Sequence, residues 1–393
     1  MNVTIDLQTP VRLTPSGHNI AYSSVCAFSA TSKYVLTADV GAVASVLDRE
    51  TGRVVYPDIP NVNIERAWWH PTDDETLYYA GGACLYSRLL NTSTVTLIAD
   101  LSKPTGARPA FPNLQVGNGT CDIRDDGWLA LLSKEGQAFG AVDLNGCTPK
   151  NQESHVFGMS YSTAGITDAN YADVTALDSV SKKHYLFVAS IPARIYSIGP
   201  KGLQFEYELS ADPYVYGKTP HSALGATVDG QQFLFWTREN QVQPHDAVCA
   251  FFNRGAVLMD DVTKLYTANL YGSGAHFGAN GSGMMVHSLF DAYPNMPIDP
   301  LRNAIIVTEF GRDVRIIVQP HGSDALTDYW ATPRANLSRD GKWVAYASNM
   351  GVKEPPSVYV VPTRGSQPIP PTLEQRVAEL EKWRAEVAKA SRP

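Results

Sequence analysis

Pro333-Arg-Ala-Asn-Leu-Ser-Arg-Asp-Gly-Lys-Trp-Val-Ala-Tyr-Ala-Ser-Asn349 reads as two short strands around a tight turn. Ala335 and Leu337, then Trp343, Ala345 and Ala347, alternate with residues of the opposite face, which is the period of a strand. Between them Asp340-Gly341 is a turn dipeptide, because glycine takes positive φ without a Cβ clash. Ser357–Val361 supplies a further strand. The unit is one blade of a β-propeller, and one blade leaves both its faces uncovered, so it requires neighbours.

Looser copies precede it. They open at Phe28–Thr37, Ala67–Tyr79, Cys121–Leu132, Asp173–Leu177, Ser222–Trp236 and Ala304–Glu309. With the last unit the count is seven, with six or eight as alternatives, and the turns recur roughly every 40 to 70 residues. The expected fold is all-β, a seven-bladed β-propeller over residues 1–366. Val3–Leu7 and Val11–Thr14 have no partner of their own and are expected to complete the last blade, which closes the ring and removes exposed edges. Residues 100–120 and 270–284 are too glycine-rich for regular strand and are expected as loops; no strand assignment is made between 238 and 284.

Composition narrows the function. A net charge of −7 over 393 residues argues against nucleic acid as main partner, since phosphate neutralisation needs a basic surface. The chain has no apolar run of the roughly 18 residues that read as a membrane span. Met1–Leu7 lacks a basic region followed by an apolar one, so no signal peptide is expected, and the expected location is a virion or the cytoplasm. The five cysteines form no C-x-x-C pair and read as reduced, small buried hydrophobes. No metal set and no cofactor are expected.

Pro368–Pro371, within the spacer 367–371, stiffens the exit from the ring. In 372–393 a short helix is expected: Thr372 with Gln375 forms a capping box. Leu373, Val377, Leu380, Arg384 and Val387 follow at spacings of four and three, a coiled-coil seam. Arg376-Val377 with Leu380-Glu381 resembles the Arg-h-x-x-h-Glu motif of parallel three-stranded coiled coils, which implies a homotrimer through 372–390. A helix lying on its own propeller through Trp383 is the alternative.

The starts of the innermost strands converge on the centre of such a ring. Arg66, Asp122, Asp173, His221, His287 and Arg334 are the candidate ligand-binding residues there; such positions also serve as blade-to-blade hydrogen-bonding groups. His245-Asp246 and His321 are placed in loops. Ser160 and Ser162 lack a Gly-x-Ser-x-Gly elbow, so a serine hydrolase has no motif.

Trp330–Gly351 resembles a blade of the TolB-like propellers. Among such propellers are polysaccharide lyases acting on oligogalacturonate or ulvan. That resemblance implies a histidine base for the proton α to the uronate carboxylate (His221 or His287) and an arginine to neutralise the acid (Arg334, Arg66 or Arg238). It also implies a tyrosine proton donor (Tyr185, Tyr266 or Tyr271). The clustered His/Gln metal ligands of the pectin-directed branch are missing from this sequence. A globular head, a proline-rich spacer and a trimerising helix together resemble an appendage protein of a tailed bacteriophage, which would bind a glycan or protein at a host surface. Three readings follow: a recognition module, a polysaccharide lyase, and a cytoplasmic scaffold with protein partners.

Overall fold

The computed structural model describes residues 3–21, 26–39, 41–117, 120–121, 126–175, 177–178, 182–190, 193–208, 222–226, 232–238, 245–251, 263–268, 274–280, 283–290, 304–309, 314–318, 333–349 and 354–364, several of these, chiefly between 232 and 280, by backbone alone. Met1–Thr363 forms one compact unit and Arg364–Pro393 a second. The expected coiled-coil residues lie outside the described ones, as do Asp122, His221, Tyr271 and His321.

Among the described residues the strands form seven sheets, six of four strands and one of six. In chain order the first holds His18–Ile20, Tyr34–Asp39, Ala44–Asp48 and Val54–Ile59; the second Ala67–Trp69, Thr76–Gly81, Cys84–Leu89 and Thr94–Asp100. The third holds Gln115–Gly117, Trp128–Ser133, Ala138–Asp143 and Val156–Ser160; the fourth Ala169–Val174, His184–Ser190, Arg194–Gly199 and Gly202–Glu208. The fifth holds Ser222–Ala226, Gln232–Arg238, His245–Phe251 and Thr263–Ala268. The sixth is built on Gly274–Asn280, Met284–Phe290, Ile305–Glu309 and Val314–Val318, and the seventh on Asn336–Leu337, Trp343–Ser348 and Ser357–Pro362. Within each sheet these strands run antiparallel to their sequence neighbours.

Alternation explains why these sheets stack face to face. In Trp128–Ser133, Leu129 and Leu131 join the cluster shared with the first and second sheets, while Ala130 and Leu132 join the cluster shared with the fourth. Leu186 and Val188 likewise face the third sheet, and Tyr185 and Phe187 face Leu224 of the fifth. Val344 and Tyr346 pack on the sixth sheet, whereas Ala345 and Ala347 pack toward the first. A strand buried on both faces has to be apolar at consecutive positions, which is how these segments read. The last sheet thus meets the first.

The turn that anchors the sequence reading forms as expected. Gly341 sits at φ 69°, and Ser338 Oγ lies 2.7 Å from Asp340 Oδ1. Closure differs in part from the expectation. Val11–Arg12 does pair antiparallel with Ser357–Pro362 of the seventh sheet, but Val3–Ile5 runs parallel to Val314–Val318 and extends the sixth.

The glycine-rich segment expected as a loop instead carries Gly274–Asn280, the sixth sheet's first strand in sequence, and leads into Met284–Phe290. Ala275, Phe277 and Ala279 alternate there with Gly274, His276 and Gly278. The small residues hide the period from a composition-based reading and suit a strand crowded on both sides. Thr120–Cys121 pairs with it in parallel, and the fifth sheet's Ser222–Ala226 lies alongside. Gln115–Gly117 similarly forms strand inside the other expected loop. His245-Asp246, expected in a loop, begins His245–Phe251.

Candidate functional site

The described part of the ring centre is a polar collar built where the first strands of neighbouring sheets begin. Ile64–Arg66 is a single 3-10 turn capped by Asn63, whose side chain accepts the Glu65 N–H at 2.9 Å. That cap aims Glu65 at the seventh sheet, and Arg334 Nη1 meets its Oε1 at 3.1 Å. Arg334 is fully buried, two residues before Asn336–Leu337. Burial pushes the Glu65 carboxyl up to about 7, with the Arg334 guanidinium pulling the other way.

Asn336 closes the seam between the seventh and first sheets. Its Nδ2 donates to Ala21 O and to Arg334 O, each at 2.9 Å, and its Oδ1 accepts from Ala27 N at 3.2 Å. Trp69 Nε1 donates to Ala27 O at 3.0 Å, tying the second sheet to the same segment. Ser288 Oγ accepts from Ala335 N at 3.3 Å and links the sixth sheet to the seventh. Arg339, fully buried, holds its guanidinium 5.1 Å from the Trp68 ring.

The sequence candidates divide among these surroundings. Arg66 ends the 3-10 turn and is half-buried. Arg334 is a member of the collar. His287 does not start a first strand; it lies mid-way along Met284–Phe290, paired with Phe277 and Ile306, and is 1% exposed. Asp173 lies on the fourth sheet's first strand opposite Phe187. It faces the seam with the fifth sheet, fully buried, and neither carboxyl oxygen has a hydrogen-bond partner among the described residues. Burial alone pushes its carboxyl up to about 8. Tyr185 is buried on the same face. Arg238 ends the fifth sheet's second strand, and Tyr266 lies on its outer strand.

Sequence reasoning missed Glu65, Asn336 and Arg339. Glu65 adjoins the chosen Arg66, and the Asn63–Glu65 cap was its only sequence signal. Asn336 and Arg339 sit inside the most legible repeat unit, where a polar residue flanked by strand positions was the available sign. Among the described residues Cys26 and Cys147 are free and buried, and Cys84 is free and half-buried. Burial pushes the Cys147 thiol up to about 11. Among the described residues no three His, Cys, Asp or Glu side chains gather as a metal set, and no helix is long and apolar enough to cross a membrane.

Solved structures share this architecture. An oligogalacturonate lyase from Vibrio parahaemolyticus superposes with a TM-score of 0.55 at 14% identity, over 92% of this chain and 96% of that one. An oligogalacturonate lyase in complex with manganese gives 0.55 at 13% identity, over 91% and 98%. U3-55K gives 0.51 at 11%, over 90% and 98%. The chain is a β-propeller. At such identities the likeness speaks for the fold and not for the activity. No protein-family model matches the chain, and no curated protein does.

Within that propeller, Thr120–Cys121 has a specific place. It follows the third sheet's first strand, yet pairs with the first strand of the sixth. Two sheets separate the third from the sixth on one side and three on the other, so this pairing bridges the middle of the ring.

Proposed function

We propose that this propeller is a recognition module that binds a surface glycan or protein without cleaving it. In this reading Leu373, Arg376, Val377, Leu380, Glu381, Arg384 and Val387 gather three copies, and the assembly serves as a virion-borne appendage. The observation that carries the non-catalytic part is the burial of His287 and Arg334, at 1% and 0% exposure. A base must come within hydrogen-bond reach of the proton it removes, and a guanidinium committed to Glu65 is a poor neutraliser for a substrate carboxylate. Three linked heads multiply a weak contact through effective concentration.

Full-length protein should bind whole cells or an immobilised glycan panel, with no rise in ultraviolet absorbance from unsaturated uronate when acidic polysaccharides are added. Its sedimentation mass should be three times that of the chain and fall to one when the chain is ended at Pro370. A monomeric full chain would remove the avidity argument.

The two oligogalacturonate lyases, matched over nine-tenths of the chain, support a second reading, β-elimination from a uronate-containing glycan. Here His221 would take the proton α to the carboxylate, half-buried Arg66 would neutralise the acid, and the glycosidic oxygen would leave with a proton from a tyrosine. An absorbance rise that disappears in His221→Ala, with folding retained, would establish this reading and end the first.

A further inference from the structure

We infer that the outer strand of the second sheet, Thr94–Asp100, is a pairing edge for a second copy of this chain. The inference concerns the rim and is independent of what the ring binds. Every sheet of the ring ends in an outer strand whose backbone groups face away from the sheet, and exposed edges of this kind recruit other strands unless they are blunted.

The other outer strands are blunted. Val54–Ile59 carries Pro57 and Asp58. Val156–Ser160 is flanked by the short helices Gln152–His155 and Tyr161–Ala164 and is at least half-buried. Gly202–Glu208 carries Glu206 and Glu208, and Thr263–Ala268 carries Lys264. Val314–Val318 and Ser357–Pro362 are covered by Val3–Ile5 and Val11–Arg12.

Thr94–Leu97 carries none of these devices over four consecutive exposed residues, a longer bare run than the two exposed residues Val54-Val55 that precede Pro57 or Gln204-Phe205 that precede Glu206. No charged residue lies between Arg88 and Asp100. Thr94 to Leu97 are all exposed, with Val95 at 45% and Leu97 at 37%. The far end is already occupied: Gln152 accepts from Asp100 N and donates to Asp100 O, both at 2.8 Å, and Cys147 Sγ reaches Ile98 O at 3.9 Å. The open stretch is therefore Thr94–Leu97.

A second copy fits this stretch because the stretch is neutral and self-complementary. Antiparallel pairing about a twofold axis at Thr96 sets Thr96 against its twin and Val95 against Leu97, twice. Apolar side chains then meet across the strands, the arrangement that stabilises antiparallel pairs, with no like charges opposed. The contact is isologous and closes on itself. Four residues a side bury less than the roughly 1,200 Å² of a standard interface, so occupancy follows concentration. With a net charge of −7 per chain, long-range repulsion opposes the approach, and added salt strengthens pairing.

The test is sedimentation of the full-length chain over a hundredfold concentration range, at low and moderate salt. The expected result is a doubling of the low-concentration mass, promoted by salt and lost in Val95→Lys and in Leu97→Lys. In parallel, Thr96→Cys should give a disulfide-linked pair on mild oxidation, while the native chain and Thr51→Cys, on an exposed turn of the first sheet, should not. A mass that stays constant with concentration, a doubling insensitive to both lysine variants, or equal cross-linking at position 51 would overturn the inference.

Discussion

Arg334 Nη1 and Glu65 Oε1 lie 3.1 Å apart although 269 positions separate the two residues in the chain. The pair joins the seventh sheet to the turn that enters the second, across the first. It is asymmetric: the guanidinium is fully buried, while the carboxylate retains 30% exposure. Removing one member of a buried pair strands the other, at a cost of about 3 to 5 kcal/mol. Arg334→Ala should fall at the lower end, about 3 kcal/mol, because Glu65 keeps contact with water. Glu65→Gln, which keeps an acceptor for the guanidinium, should cost less. Denaturant midpoints at constant m-value decide the order, and a larger loss in Glu65→Gln would contradict this geometry.

Asp173 predicts a pH dependence of stability. Its carboxyl has an ordinary pKa of about 3.9 in the unfolded chain and is pushed up to about 8 in the fold. Between those values the folded state holds a proton that the unfolded state has lost. Stability is therefore complete below the unfolded value, declines as pH rises, and levels off above the folded one. Asp173→Asn removes this group. Its advantage over the native chain should grow by about tenfold in the unfolding equilibrium per pH unit inside that window and stop growing above it. Parallel stability curves from acid to alkaline pH would show that the carboxyl finds a partner in solution.

Gly140 and Gly82 predict a contrast between crowding and backbone strain. A Cβ at Gly140 would overlap the carbonyl oxygen of Phe157 on the adjacent strand, where Gly140 pairs with Gly158. Gly140→Ala should cost about 3 kcal/mol, the upper range for overpacking. Gly82 has φ of +62° and open space where a Cβ would stand; Gly82→Ala should cost about 1 kcal/mol from the left-handed backbone alone. Paired thermal melts measure the difference.

Ring closure by the N-terminal segment is testable by removing it. Asp6 N, Gln8 N and Leu13 N donate to Ile316 O, Ile317 O and Val358 O at 2.8–2.9 Å. At about 1 kcal/mol each, their loss on deleting residues 1–13 should lower stability by about 3 kcal/mol or more, and it exposes the edge of Ser357–Pro362. Light scattering should rise with the fall in midpoint. A truncated chain as stable and as monodisperse as the whole one would mean that the ring holds without this clasp.

How much of this was legible depends on how local each signal is. Asp340-Gly341 was readable because a tight turn uses residues adjacent in sequence. The alternating apolar residues of Trp343–Ser348 were readable because a strand's period is carried by its own side chains. Gly274–Asn280 was not, because its reason for small residues is the crowding by Thr120–Cys121 and the fifth sheet, which no local pattern records. His287 was misplaced for a similar reason: a polar residue in an apolar run marks either a strand start or a buried seam, and only the register against Phe277 and Ile306 separates the two.

The amino-acid order by itself determined the repeating antiparallel unit, the turn positions and the need for neighbouring sheets, since backbone propensity and side-chain period act over a few residues. Tertiary structure alone decided which charges meet, which carboxyl is stranded and which outer edge is left bare. Glu65 with Arg334, and, among the described residues, Asp173 without a hydrogen-bond partner and Thr94–Leu97 exposed, all depend on which distant strands come to lie beside them. Burial and long-range pairing are properties of that arrangement, and the energies they control are set by the surroundings rather than by the residue.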